Sequence, residues 1–164
     1  MQNENGTYNP DMSSDFDLEQ EFKAAPLIPS GTYHANVTKT WLDTEQNTLN
    51  FNFCLVDNGG LMSDGETAVD GTVQVLRNWL PKPGDDKEMT KDGKMTKRQS
   101  KINQLGKFAD FMGIPRDQFK NLTVIKEHCD NATWVGLRAS VTIGSREYEG
   151  KIYNEISKVR ITPA

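Results

Sequence analysis

Six cations and one anion fall within residues 91–107 (KDGKMTKRQSKINQLGK) of a chain whose formal net charge is −4. The positives are Lys91, Lys94, Lys97, Arg98, Lys101 and Lys107, and the negative is Asp92. Most of them lie where a helix should begin, because Thr96 and Gln99 form a capping-box pattern. A helix's first turn carries free N–H groups and the positive end of the macrodipole, so cations there cost stability unless an anion sits on them. Phosphate is the simplest such anion. The competing reading is a solvated connector that is merely charged.

A second set of residues interleaves π faces with cations. Arg77, Asn78 and Trp79 end a strand pattern next to Lys82, while Arg146, Tyr148, Lys151 and Tyr153 cluster on the last hairpin pattern. Trp41 stands at the lip of the first turn. Cations that track a phosphate backbone, with aromatic faces on which bases stack, are what non-specific binding of single strands requires. The expected partner is therefore single-stranded DNA. Lys82, Lys91, Lys94, Lys97, Arg98 and Lys101 would meet phosphates, and Arg77, Trp79, Tyr148 and Tyr153 would form the stacking surface. Aromatics on strands are more often core, and Phe51, Phe53, Phe108 and Trp134 are assigned there. Trp79 and Tyr148 are expected to be exposed.

Enzyme and metal chemistry find little footing. The two histidines, His34 and His128, stand in no ligand or triad spacing. Adjacent His128, Cys129 and Asp130 point in different directions and do not converge on one ion. Gly93 and Lys94 lack the glycine, the hydroxyl residue and the leading strand of a phosphate loop. The acidic loop over residues 57–71 has Gly59 and Leu61 where a calcium loop needs ligands. Asp85, Asp86, Glu88 and Asp92 are acids that a magnesium nuclease would need, but they crowd into one connector. No cofactor or metal is expected.

Charge is distributed in blocks. Residues 1–26 carry a net −5, against +5 for residues 91–107. Hydrophobic content of 35% is low for a compact chain, and these first residues read as a disordered acidic arm ahead of a single domain over residues 27–164. Within the arm, Asp15, Asp17, Glu19 and Glu21 alternate with Phe16, Leu18 and Phe22. Such a segment can mimic nucleic acid in a basic groove or recruit replication or recombination proteins. The two isolated cysteines, Cys54 and Cys129, fit a reducing compartment. No apolar run approaches the roughly 18 residues of a membrane span, and the first residues lack a secretory pattern. A cytoplasmic protein is expected, with no membrane contact, and the glycosylation patterns at Asn36 and Asn121 are then chance matches.

Period-2 alternation predicts strands over residues 31–42, 49–55 and 72–80, the clearest being Leu49, Phe51, Phe53 and Leu55 with Asn50 and Asn52 between them. A helix from about Lys97 has Ile102, Leu105, Phe108, Ala109 and Met112 as its apolar stripe and Gly113 as its stop. A short irregular or helical piece covers residues 116–130. Strand patterns over residues 134–143 and 151–161 flank a turn at residues 144–150. Five strands with a helix between the third and fourth is the order of the oligonucleotide-binding (OB) Greek-key barrel, so a mainly β, five-stranded barrel is expected.

Four pieces of the chain carry a resemblance: LIPSGTY at residues 27–33, RNWLPKP at 77–83, KINQLGKF at 101–108 and YEGKIYNE at 148–155. The chain resembles a family of bacteriophage-encoded proteins long catalogued as a domain of unknown function. Some of its members are treated as single-stranded DNA-binding proteins with an OB fold. The resemblance implies a role in phage replication or recombination through coating of single strands, in the host cytoplasm. Such proteins commonly end in an acidic, aromatic-tipped tail, whereas the comparable segment here precedes the domain. Two other readings compete. One is a structural β-barrel module of a phage particle, and the other is the magnesium nuclease.

Overall fold

The computed structural model describes residues 15–163. Its strands are β1 (Gly31–Asp43), β2 (Thr48–Leu55), β3 (Val73–Trp79), β4 (Arg138–Tyr148) and β5 (Lys151–Ile161). They form one antiparallel sheet in the order β3-β2-β1-β4-β5. The helices are a single turn α1 (Leu18–Glu21), then α2 (Lys97–Phe111) and α3 (Leu122–Asp130), with 3-10 turns at Asp85–Lys87 and Arg116–Phe119. The mainly β class and the helix between the third and fourth strands are as the sequence predicts. The closed barrel is not reached by the hydrogen-bond ladder. β3 and β5 come within 8 Å between Cα atoms, yet they remain the two edges of the sheet.

β2 explains the core. It lies between β1 and β3, and its alternation sends Leu49, Phe51, Phe53 and Leu55 inward, all fully buried. The Phe51 ring stacks on Trp134 at 5.6 Å between centroids and meets Phe108 of α2 edge-on at 4.9 Å. Trp134 is buried too, and its indole N–H donates to Gln118 Oε1 at 2.8 Å, so its polar edge is satisfied.

Two β-bulges decide which side chains face outward. In β1 the register slips between Val37 and Lys39, so Thr38 is an extra residue. Ala35 and Val37 point inward before it, Thr40 and Leu42 pair with inward Phe51 and Leu49 after it, and Lys39 and Trp41 turn outward. In β5 the slip falls at Ser157, between Ile156 and Lys158. It keeps Ile156, Val159 and Ile161 on the inner face and sends Lys158 and Arg160 out.

α2 begins as its sequence indicates: Thr96 Oγ1 accepts the Gln99 N–H at 3.1 Å. The reciprocal half of the capping box is absent, because the Gln99 amide donates to Asn103 instead. At its end, the Ile114 N–H reaches the Ala109 carbonyl at 2.9 Å while Gly113 adopts φ +64°. A Cβ at Gly113 would meet Ile161 of β5 at 3.4 Å, an ordinary contact, so it is the left-handed backbone that calls for glycine here.

Two boundaries differ from expectation. β4 starts at Arg138, not near residue 134, because residues 131–136 form turns in which Ala132 and Gly136 take positive φ (53° and 97°). Trp134 thus enters the core from a turn. At the other end the expected turn over residues 144–150 is largely strand. Arg146 pairs with Tyr153 and Tyr148 with Lys151, leaving a two-residue turn at Glu149 and Gly150 with φ of 51° and 76°.

In the arm, Asp17 caps α1 by accepting the Glu19 and Gln20 N–H groups, and residues 15–25 are exposed. The part of the predicted arm over residues 1–14 lies outside the described residues.

Candidate nucleic-acid interface

Residues opposite one another on paired strands share a face of the sheet. The outward face can therefore be built row by row. Trp79 of β3 pairs with Thr48 of β2, which pairs with Asp43 of β1; Arg77 pairs with Asn50, which pairs with Trp41; Val75 pairs with Asn52, which pairs with Lys39. Trp79 is 52% exposed and Trp41 half-buried. The Lys39 ammonium lies 5.0 Å from the centre of the Trp41 ring, a cation–π contact.

The same face continues onto β4 and β5. Arg138 pairs with Asn36, Thr142 with Thr32, Lys158 with Thr142, and Arg160 with Ser140. Further along, Arg146, Tyr148, Lys151 and Tyr153 all project to this side from the hairpin that runs past the start of β1. Tyr148 and Tyr153 are exposed. Arg146 has a loose ion pair with Glu155 at 3.7 Å, and Arg138 a close one with Asp57 at 2.7 Å.

The single stacking surface expected of Arg77, Trp79, Tyr148 and Tyr153 is split: the two pairs share a face but not a neighbourhood. Trp41 lies ten residues along β1 from Gly31, whose partner is Ile143, and Tyr148 lies five residues beyond Ile143 in the opposite direction. Trp41 and Trp79 therefore occupy one end of the face and Tyr148 and Tyr153 the other.

The basic tract divides over two sides of α2. Lys97 and Lys101, with Ser100 and Gln104, face Trp79 and Thr90 across a small pocket of about 180 Å³. Arg98 and Lys107 line a larger cavity of about 650 Å³ between α2 and α3, floored by Ile102, Leu105 and Ile125. Lys91 and Lys94 sit on the exposed turn that precedes the helix, closed by the Gly93 N–H to the Thr90 carbonyl at 2.9 Å.

The anion that the start of α2 requires comes partly from the protein. Asp85, 1% exposed, accepts from Lys101 Nζ at 2.7 Å and from the Lys82 backbone N–H at 2.9 Å. The Lys101 hydrogen bond, and then that N–H, hold its carboxyl below the usual range. Glu88 likewise binds Lys97 at 2.9 Å, which lowers the Glu88 carboxyl and raises the Lys97 ammonium. Lys91, Lys94, Arg98 and Lys107 make no ion pair among the described residues. Lys82 contributes its backbone to Asp85 and stands beside the same cluster.

The acidic loop over residues 57–71 uses its carboxylates on its own backbone. Asp70 accepts the Asn58 and Gly59 N–H groups, and Asp64 those of Glu66 and Thr67 together with the Thr67 hydroxyl. These bonds lower both carboxyls. Asp92 is similarly engaged by Thr90 and the Lys94 N–H.

Sequence reasoning missed part of the face: Lys39, Asn50, Asn52, Arg138, Lys158 and Arg160. The polar members of the β2 alternation were the available signal, since residues between inward phenylalanines must point out. Beyond Thr38 and Ser157 the bulges hid the parity. Compared with known protein families and with curated proteins, the chain has no match.

Proposed function

We propose that this protein binds single-stranded DNA, largely without regard to sequence, through the outward face of its sheet and the basic start of α2. The observation that carries the reading is exposed Trp79 on a face that also bears Arg77, Lys39 and Trp41, with Thr90, at the head of the turn that carries the unpaired Lys91 and Lys94, lining the same small pocket. Stacking rings and backbone-tracking cations on one surface are the two elements of sequence-tolerant single-strand binding. The strand order, with α2 between β3 and β4, fits an OB barrel whose seam runs between β3 and β5. The resemblance to phage single-strand binding proteins supports a role in replication or recombination.

The nuclease reading has less to stand on, because Asp85, Glu88 and Asp92 each have partners within the protein. Fluorescence anisotropy with labelled oligo-dT at several salt concentrations tests the proposal. Tight binding that weakens steeply with salt is expected. No binding at low salt overturns it and returns the chain to the structural-module reading.

A further inference from the structure

Two apolar features of this chain stand open to solvent. The first is the groove between α2 and α3, about 650 Å³ over Ile102, Leu105 and Ile125. Leu80 and Leu122 carry it on into a second hollow of about 270 Å³ that reaches Leu42 of β1. Leu122 is 52% exposed at the junction. The second is the arm, where Phe16 is 73%, Leu18 66% and Phe22 71% exposed. Large apolar side chains grouped on a surface mark a place of contact.

Charge matches the two features. Arg98, Lys107, Arg116 and Lys120 rim the groove. Of these four, only Arg116 has an ion pair among the described residues, with Asp110 at 2.6 Å. The arm sets Asp15, Asp17, Glu19 and Glu21 among its apolar residues. Leu18 and Phe22 are four residues apart across α1, so they share one side of that turn. Apolar anchors at this spacing, flanked by acids, suit an apolar groove with a cationic rim.

The arm of a copy falls short of the Leu122 mouth of its own groove. Leu27 exchanges hydrogen bonds with Ser63, and Ile28 is buried, so the arm is anchored there. Asn58 of the same loop is tied to His34, near the start of β1. From His34 to Leu42 the strand advances about 26 Å. The five residues from Leu27 to Phe22 span at most about 17 Å.

We infer that the groove between α2 and α3 of one copy receives residues 15–22 of a second copy. Leu18 and Phe22 enter over Leu122 and the groove floor, and the arm's acids meet Arg98, Lys107 and Lys120. The contact is heterologous, arm to groove, so further copies can add head to tail. Nothing in it involves nucleic acid, and it stands or falls apart from the single-strand reading.

Sedimentation velocity of the full chain over a wide range of concentration, without nucleic acid, tests the contact. The wild-type protein should rise above the monomer mass as concentration increases, and less so as salt screens the rim. Two variants accompany it: an arm variant (Phe16→Ala, Leu18→Ala, Phe22→Ala) and a groove variant (Lys107→Glu, Leu122→Glu). Each should weaken association about tenfold or more, the worth of one large buried apolar side chain. Mixed together, the two variants should associate again and stop at a pair, because one supplies the arm and the other the groove. Melting temperatures show whether both are folded, and Lys107→Glu by itself carries the groove side if the double variant unfolds. A wild-type protein that stays monomeric at every concentration, as docking within one copy would leave it, overturns the inference. So does association unchanged in either folded variant, or two folded variants that fail to pair.

Discussion

Lys101 and Asp85 form the ion pair on which the start of α2 rests, with 2.7 Å between Nζ and Oδ2. The carboxylate is buried and the ammonium half-covered. A tract that reads as uniformly basic thus contains two cations committed internally, Lys97 and Lys101, and others left for an outside anion. The distinction sets which substitutions probe binding and which probe folding.

Acid should reveal the Asp85 contribution. Its carboxyl is held below the unfolded value of about 3.9. The stability it adds is therefore complete above that value and disappears as pH falls through the depressed folded pKa. Asp85→Asn should lower the melting temperature at pH 7, with the gap to wild type closing below about pH 4. A gap of equal size at pH 7 and pH 3 would show that the carboxylate's charge is irrelevant.

The unpaired cations should govern salt dependence. Replacing Lys91, Lys94 and Arg98 together with alanine should flatten the log–log salt slope of oligo-dT binding by about 0.7 for each lost phosphate contact, at unchanged melting temperature. Lys101→Ala should instead lower the melting temperature, because it strands the Asp85 carboxylate without its cation. A full slope in the triple variant would place the nucleic acid elsewhere.

Two tryptophans should separate cleanly. Trp79→Ala should weaken single-strand binding by roughly 1–3 kcal/mol while leaving the fold intact. Trp134→Ala should cost about 3–5 kcal/mol of stability, since its ring packs on Phe51 and Phe119 inside the core. Denaturant melts beside binding isotherms make the comparison, and a folding defect in Trp79→Ala would contradict its exposed position.

The acidic arm should compete with DNA. Phe16, Leu18 and Phe22 are exposed among four acids, and a tether holds such a segment at millimolar effective concentration. A chain starting at Ala25 should bind oligo-dT more tightly than the full protein, most clearly at low salt where attraction between charges is least screened. Identical affinities across the salt range would rule out competition and leave partner recruitment as the arm's task.

Much of the fold was legible where local chemistry and pattern agree. The β2 alternation, the Thr96 cap and the Gly113 stop are each determined within a few residues, and the structure follows them. Trp134 was legible as core but not as a turn residue. Its position depends on Phe51 and Gln118, which are distant in sequence. The partners of Lys97 and Lys101 were hidden because Glu88 and Asp85 come from a connector that folds back along the helix. The outward arrangement of Lys39 and Trp41 was hidden by a single extra residue, which inverts a period-2 pattern without changing its composition.

That extra residue gives β1 slack in one direction only. Up to Asn36 the strand is held by β4 on one side, and beyond Thr38 by β2 alone, so the bulge falls where the strand leaves its second neighbour. Loss of one residue between Val37 and Trp41 can be taken up by smoothing the bulge, and Trp41 still faces outward. Gain of one residue has no such reserve, and it drives the indole toward Leu49 and Phe51. The strand can shorten by a residue and keep its surface, but it cannot lengthen by one.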